Sequence, residues 1–230
     1  MLLRISPTCI TQGYNTLLPS QMLEHDFGFG SAFVTCRMPG NNGYDATYVE
    51  KLSHLDGKGH GFNVGVTENA LKWDAWEEQW IGTPNEAISA IQYLSEQGIE
   101  MRGHTLFWPG FGNMPDDINA NRNDLSRIRD RINARIGTMI NHPQLKGLIR
   151  EWDVFNEIIT NRDLEEVFQR DSNFETGREI YLEILKAIRD IDPELKLYLN
   201  DFIVLSGGGT TSATEQLYIC LLYTSDAADE

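Results

Sequence analysis

The chain is poor in cysteine, in basic residues and in long apolar runs, and each shortage excludes a class of protein. Its three cysteines, Cys9, Cys36 and Cys220, and its five histidines lack the spacing of a metal site, so we predict no metal and interpret the cysteines as structural. Lys and Arg number 19 against 34 Asp and Glu, and the net charge of −15 argues against nucleic acid and anionic membranes as partners. No apolar run reaches the roughly 18 residues of a membrane-spanning helix.

The remaining composition is that of a globular protein with one sizeable core. Hydrophobic residues make up 41% of the chain, and the mean hydropathy is −0.35. Residues 1–10 contain an early arginine and a broken apolar stretch, and they do not have the pattern of a signal peptide. Residues 1–20 show no clear periodicity, and we interpret them as a poorly defined segment that could belong to an upstream module.

Strand-like and helix-like segments alternate along the chain, which indicates a parallel sheet with crossover helices. Strands are predicted at 27–34, 62–67, 99–106, 148–155 and 195–200. Helices are predicted where apolar residues recur every three or four positions, at 85–97, 124–140 and 174–191. This order predicts an α/β protein of the TIM (β/α)₈ barrel class.

The pattern stops short of a complete barrel. An eight-stranded barrel usually needs roughly 250 residues, and the predicted segments supply about five βα units. We therefore expect a barrel that is truncated after these units. The final stretch, 221–230, continues neither a helical nor a strand period, and we interpret it as a non-native tail.

Polar and aromatic side chains follow the predicted strands where these end. Asn156 and Glu157 close the fourth strand, where a carboxyl group can protonate a leaving oxygen and an amide can bind a neighbouring hydroxyl. The other strands carry Glu68, Asn69, Lys72, Trp73, His104, Trp108, Asn200 and Asp201 at or near their ends. Each of these alone could be a surface, core or turn residue. Because a barrel brings successive strand ends around one pocket, their order predicts a site for sugar chemistry.

Five stretches of the chain carry a resemblance to one enzyme family. They are FGFGSA (27–32), TENALKW (67–73), RGHTLFW (102–108), EWDVFNE (151–157) and LYLNDF (197–202). In this order they resemble glycoside hydrolase family 10, the endo-1,4-β-xylanases, over about residues 21–218. The resemblance implies that residues 21–220 are part of a catalytic (β/α)₈ barrel, which hydrolyses internal β-1,4 bonds of xylan with retention of configuration.

The resemblance also implies roles for single residues. Glu157 would be the general acid/base, and Asn156 would contact the 2-hydroxyl of the sugar at the cleavage point. By the resemblance Glu68, Asn69, Lys72, His104 and Trp108 would line the glycone side. From their positions at or near strand ends, we also expect Trp73, Asn200 and Asp201 to bind substrate. The family needs no cofactor, and its partner is xylan or a related β-1,4-linked polysaccharide. A secreted monomer is expected.

Two positions and one absence depart from the family pattern. Pro109 stands where the family usually has histidine, and Phe202-Ile203 stands where it often has Tyr-Asn, so sugar contacts there are open. The family carries its nucleophilic carboxylate on a seventh strand, which the pattern does not reach. Glu215 is rejected as a substitute because it begins a helix pattern after a glycine-rich loop.

These departures leave more than one function open. Without the nucleophile we expect the chain as given to be inactive. One alternative is another retaining barrel β-glycanase. The other is a carbohydrate-binding protein that has kept the sugar cleft without hydrolysis.

Overall fold

The structure, a computed structural model, describes residues 2–4, 28–53 and 62–202. Its strands are β1 (Leu2–Arg4), β2 (Gly28–Phe33), β3 (Val64–Thr67), β4 (Glu100–Phe107), β5 (Ile149–Asn156) and β6 (Lys196–Asn200). Its α-helices are α1 (Ala46–Leu52), α2 (Trp73–Glu78), α3 (Pro84–Glu96), α4 (Asp116–Ala120), α5 (Leu125–Ile140), α6 (Asp163–Phe168) and α7 (Glu179–Ile191). Short 3₁₀ turns occupy Thr35–Arg37 and Phe111–Asn113.

The strands form a six-stranded sheet in chain order, β1-β2-β3-β4-β5-β6. β1 runs antiparallel to β2, whereas β3 is parallel to β2 and to β4, with Val66 opposite Ala32 on one side and Arg102 on the other. The expected parallel strands with crossover helices are therefore confirmed for β2 to β4. The contacts divide the chain into two compact units. The first comprises 1–71, 75–104 and 143–151, and the second 72–74, 105–142 and 152–230.

The predicted strands agree with the structure to within two residues at each described end. β1 was not predicted, because three residues are too few to show a period of two. The short helices α1, α2, α4 and α6 were missed because they are 7, 6, 5 and 6 residues long, which is too short to display a helical period. Cys36 is half-buried with a free thiol. The interpretations of Cys9, Cys220, Glu215 and the tail at 221–230 concern residues outside the described part of the chain.

In the first unit, a glycine and an asparagine set the pairing of β2, β3 and β4. A Cβ atom on Gly30 would lie 3.0 Å from the Cβ atom of Val64, so the absence of a side chain lets β2 and β3 approach. Asn63 is buried and accepts from the N–H of Phe29 at 2.6 Å through its side chain. Its backbone carbonyl accepts from the N–H of Glu100 at 2.9 Å. Asn63 thus bonds to both neighbouring strands and helps to fix their register.

The helix α3 begins and ends at residues whose chemistry the sequence displays. Thr83 and Glu86 form a capping box, with the Thr83 N–H donating to Glu86 Oε2 at 2.7 Å and the Glu86 N–H donating to Thr83 Oγ1 at 3.3 Å. Pro84 occupies the first turn, and Gly98 follows the helix with a φ of 80°. The predicted apolar face is confirmed by the buried residues Ala87, Ile88, Ala90, Ile91 and Leu94.

The core of the second unit contains a row of aromatic rings. Trp73 meets Phe107 edge to face at 5.4 Å between centroids, and Phe107 lies 6.0 Å from Phe155. Tyr181 meets Phe155 at 4.9 Å, again edge to face. Burial, followed by the negative charge of Glu165, raises the pKa of the Tyr181 hydroxyl. The rings connect α2, β4, β5 and α7 within this unit.

A buried arginine joins α5 to the end of β4. Arg135 is 1% exposed, and its guanidinium donates to Leu106 O at 3.3 Å and to Thr105 O at 3.2 Å. The Thr105 hydroxyl in turn donates to Asp153 O in β5 at 2.8 Å. Because buried polar groups must be paired, these bonds hold the end of β4 in place.

The prediction for the start of α7 is wrong. The apolar pattern places it at position 174, whereas the helix begins at Glu179. Gly177 has a φ of 82° and packs against the backbone of α6, which interrupts the helical path. The Glu179 carboxylate then accepts from the N–H groups of Glu175 at 2.9 Å and Thr176 at 3.1 Å, so a bonded turn precedes the helix.

We expect Glu179→Gln to lower the free energy of unfolding at neutral pH. We also expect this free energy to depend less on pH in the acidic range. Burial opposes the charge of Glu179, but the N–H groups of Glu179, Glu175 and Thr176 and the Thr176 hydroxyl outweigh it and lower the pKa to about 2. Because the folded-state pKa lies below the unfolded value of about 4.3, the stabilisation is present above that value and is lost as the pH falls towards 2. Urea unfolding of both proteins at several pH values measures this. A difference in stability that stays constant with pH would contradict it.

Candidate active site

The candidate acid/base lies where β5 ends. Asn156 is the last residue of β5 and is 3% exposed, and the half-buried Glu157 follows it. Asn200, which ends β6, donates from Nδ2 to Asn156 Oδ1 at 2.6 Å, and the Glu157 N–H donates to Asn200 O at 2.7 Å. The structure therefore brings these three predicted residues together. Because Asn156 Oδ1 already accepts a hydrogen bond from Asn200, the NH₂ of Asn156 is the group that can bind a sugar hydroxyl.

The backbone of Glu157 adopts the left-handed region, with a φ of 54°. This conformation costs a residue with a Cβ atom about 1–2 kcal/mol. The bonds around the residue maintain it, since its carbonyl oxygen accepts from the N–H groups of Thr160 at 3.2 Å and Asn161 at 3.0 Å. Backbone strain of this kind is concentrated at functional positions, which supports a role for Glu157 beyond packing.

The segment after β5 is bonded to the segment after β4. The Leu164 N–H donates to Pro109 O at 3.1 Å, and the Phe111 N–H donates to Asp163 Oδ2 at 2.7 Å. Pro109 thus contributes a backbone acceptor at the position where the family usually has histidine. The sequence interpretation missed Asp163, whose acidic side chain at the start of α6 was the available signal.

Trp108 directly follows β4, and a cation lies against its ring. Lys72 Nζ is 4.6 Å from the ring centroid, which is within the range of a cation–π contact. The indole Nε1 of Trp108 is buried and has no hydrogen-bond partner among the residues that the structure describes. A buried donor of this kind is one that a ligand oxygen can satisfy.

Trp73 does not offer a surface to a substrate, and the prediction that it binds sugar is wrong. It is 1% exposed and meets Phe107 edge to face. The guanidinium of Arg131 lies 5.5 Å from its ring centroid. As the first residue of α2, Trp73 points into the core of the second unit, which the sequence motif alone does not reveal.

The other predicted residues lie at or near strand ends. Glu68 and Asn69 follow β3 in the first unit, where the Glu68 N–H donates to Phe33 O at 2.9 Å. The Glu68 side chain is exposed and that of Asn69 is half-buried. His104 lies within β4 and Asp201 follows β6, both half-buried. Contact of these four residues with a substrate stays a prediction.

Neither a metal site nor a membrane span is found in the described ranges. No group of three or more His, Cys, Asp and Glu residues there is arranged to hold a metal ion. No helix in the same ranges is both long and apolar enough to cross a bilayer.

Two curated relatives match part of the chain. Endo-1,4-beta-xylanase 3 of Hypocrea jecorina is 34% identical over 139 residues, which cover 59% of this chain and 37% of that protein. The anti-sigma-I factor RsgI6 of Acetivibrio thermocellus is 28% identical over 190 residues, which cover 82% of this chain and 22% of that protein. The chain therefore spans well under half the length of either relative.

A solved structure and a family model cover most of the chain. The structure of xylanase 10B from Thermotoga petrophila RKU-1 in complex with xylobiose has a TM-score of 0.66 and 20% identity, and it covers 94% of this chain and 62% of that chain. This likeness confirms the predicted α/β barrel class. The model described as glycosyl hydrolase family 10 matches residues 22–219. The chain therefore belongs to glycosyl hydrolase family 10.

Proposed function

We propose that the protein containing this chain is an endo-1,4-β-xylanase that cleaves internal bonds of xylan with retention of configuration. The observation that carries the proposal is the Asn156–Glu157 pair at the end of β5, held by two bonds to Asn200, in a chain of glycosyl hydrolase family 10. The similarity to a fungal endo-1,4-beta-xylanase supports xylan as the substrate.

In the proposed mechanism Glu157 transfers a proton in each of two steps. In the first, it gives its proton to the glycosidic oxygen while a second carboxylate attacks the anomeric carbon, and the C–O bond to the leaving sugar breaks. In the second, the ionised Glu157 takes a proton from a water whose oxygen attacks the anomeric carbon and releases the nucleophile. Retention requires the two carboxyl groups to lie about 5–5.5 Å apart. By the family resemblance we assign the nucleophile to a seventh strand.

The polar groups around Glu157 would bind the sugar units. The NH₂ of Asn156 would donate to the 2-hydroxyl at the cleavage point, where a bond that strengthens in the transition state lowers the barrier. We propose that the buried Nε1–H of Trp108 and the ammonium of Lys72, which lies against the same ring, are two further donors on the glycone side, as the family resemblance implies. We also propose sugar contacts for Glu68, Asn69, His104, Asn200 and Asp201.

We expect the complete protein that contains this chain to hydrolyse xylan and to release a product that is initially the β-anomer. Two successive inversions at the anomeric carbon preserve its configuration. Proton NMR of the first minutes of hydrolysis, before mutarotation, distinguishes the anomers. An initial α-anomer would refute the mechanism, and turnover of another β-1,4-glycan without turnover of xylan would support a different β-glycanase.

A second candidate is recognition of a β-1,4-linked polysaccharide without hydrolysis. The similarity to a protein named as an anti-sigma-I factor favours it, because that name denotes a regulator and the matched region covers most of this chain. Calorimetric titration with xylo-oligosaccharides, alongside the hydrolysis assay, separates the two candidates. Binding of the xylo-oligosaccharides with no bond cleavage would favour recognition without hydrolysis.

We further propose that the protein acts outside the cell. Its proposed substrate is a polymer that does not cross a membrane, so an enzyme that cleaves internal bonds meets it only after export. Assay of xylan hydrolysis in the medium and in the cell fraction of the producing organism tests this. Activity confined to the cell fraction would overturn it.

A further inference from the structure

Asn161 contacts the candidate acid/base from the segment that follows it. Its backbone N–H donates to Glu157 O at 3.0 Å, and its side-chain Nδ2 donates to the same oxygen at 3.1 Å. Nδ2 also lies 3.4 Å from Glu157 Oε2, a long hydrogen bond to the carboxylate itself. Because a carbonyl oxygen and a carboxylate oxygen both accept, the NH₂ end of the amide has to face Glu157.

The other end of the same amide is held by the segment after β4. Asn161 Oδ1 accepts from Asn113 Nδ2 at 3.0 Å. Gly110 leaves room for this arrangement, since a Cβ atom there would lie 2.6 Å from Asn161 Oδ1 and 3.2 Å from Asn113 Nδ2. The amide is therefore fixed in orientation on both sides, and it cannot turn away from Glu157 without losing a bond to Asn113.

We propose that Asn161 is a positioning residue for Glu157. It binds one carboxyl oxygen of Glu157 and thereby orients the other. This inference rests on the proposed function, because it assigns Asn161 a part in the two proton transfers. A donor on Oε2 fixes the side-chain torsion and leaves Oε1 to face the glycosidic oxygen.

Two substitutions of Asn161 separate its bond to Glu157 from its bond to Asn113. Asn161→Ala removes both bonds, whereas Asn161→Asp keeps an acceptor for Asn113 and places a like charge near Glu157. We expect kcat on xylo-oligosaccharides to fall roughly tenfold in both variants. The burst of phenol release from an aryl xyloside with an activated leaving group should slow much less, because that step needs no proton from Glu157, whereas a merely structural change would slow both substrates alike.

A matched pair of glycine substitutions tests the positioning role without a change to Asn161 or Asn113. Gly110→Ala should displace the Asn161 amide and slow xylo-oligosaccharide hydrolysis more than the phenol burst, because the atom it meets is the end of a side chain that can shift. Gly112→Ala, two positions along the same segment, meets nothing within 4 Å and should leave both rates unchanged. Thermal unfolding checks that all four variants are folded.

The outcomes distinguish this inference from the proposed function. Equal slowing of xylo-oligosaccharide hydrolysis and of the phenol burst in Asn161→Ala and Asn161→Asp would overturn the positioning role, as would equal effects of Gly110→Ala and Gly112→Ala. In either case wild-type hydrolysis of xylan and its loss in Glu157→Gln would still hold. If the wild type does not hydrolyse xylan, or if Glu157→Gln keeps its full rate, it is the proposed function that fails.

Discussion

Glu157→Gln is expected to lower kcat on xylan by about 10²- to 10⁴-fold, the contribution of a positioned acid/base. Glutamine has nearly the same shape and keeps the Cβ atom, so the left-handed backbone at this position carries the same strain as before. What it loses is the proton that the leaving sugar oxygen needs. An aryl xyloside with an activated phenol leaving group needs no such proton, so its first step should slow much less. Steady-state rates on both substrates, with the burst of phenol release, measure the difference.

The matched control for this prediction is Glu166→Gln. Glu166 is an exposed carboxylate on α6 of the same unit, and its conversion to an amide makes the same change in charge. We expect it to leave both rates unchanged. Equal losses on xylan and on the activated substrate in Glu157→Gln would argue against a role in protonating the leaving group.

Gly177→Ala is expected to destabilise the protein by about 2–5 kcal/mol. The left-handed φ of 82° alone costs a residue with a Cβ atom about 1–2 kcal/mol. The new atom would also overlap the carbonyl oxygen of Glu165 and lie 2.6 Å from the backbone N of Gln169. Backbone atoms cannot move aside as a side chain does, so overpacking adds about 1–3 kcal/mol. Urea unfolding of the complete protein gives the free energy directly.

A second glycine separates the two contributions. Gly98 has nearly the same φ, 80°, but a Cβ atom there would meet nothing within 4 Å. Gly98→Ala should therefore show the backbone strain alone, about 1–2 kcal/mol. If the two variants lose the same free energy of unfolding, close packing of Gly177 against α6 contributes nothing.

The sequence predicted β3, β5 and β6 well because each is a segment rich in apolar residues that ends at or just before a polar pair, namely Glu68-Asn69, Asn156-Glu157 and Asn200-Asp201. The sequence pattern misplaced the start of α7, because it places Phe174 at the beginning of the apolar face, whereas the helix begins at Glu179. The deciding contact is between Gly177 and α6, an element that lies outside the helix pattern. A local period cannot report such a tertiary contact.

The sequence correctly indicated which strand-end residues lie together, but it could not indicate the direction of a side chain. Asn156, Glu157 and Asn200 meet because their strands end together. Trp73 belongs to the same motif as Lys72, yet it is buried in the core. Asn161 could not be predicted, since its role depends on how two segments far apart in the chain meet.

The bonds between the segments after β4 and β5 limit how this region can be redesigned. A chimera that receives residues 157–164 from another family member, but keeps residues 108–113, would separate the Phe111 N–H from Asp163 and the Pro109 carbonyl from Leu164. An insertion in one segment would shift its residues relative to the other segment and leave these groups unpaired. Loop exchange intended to change substrate preference here therefore has to move the two segments as a single block.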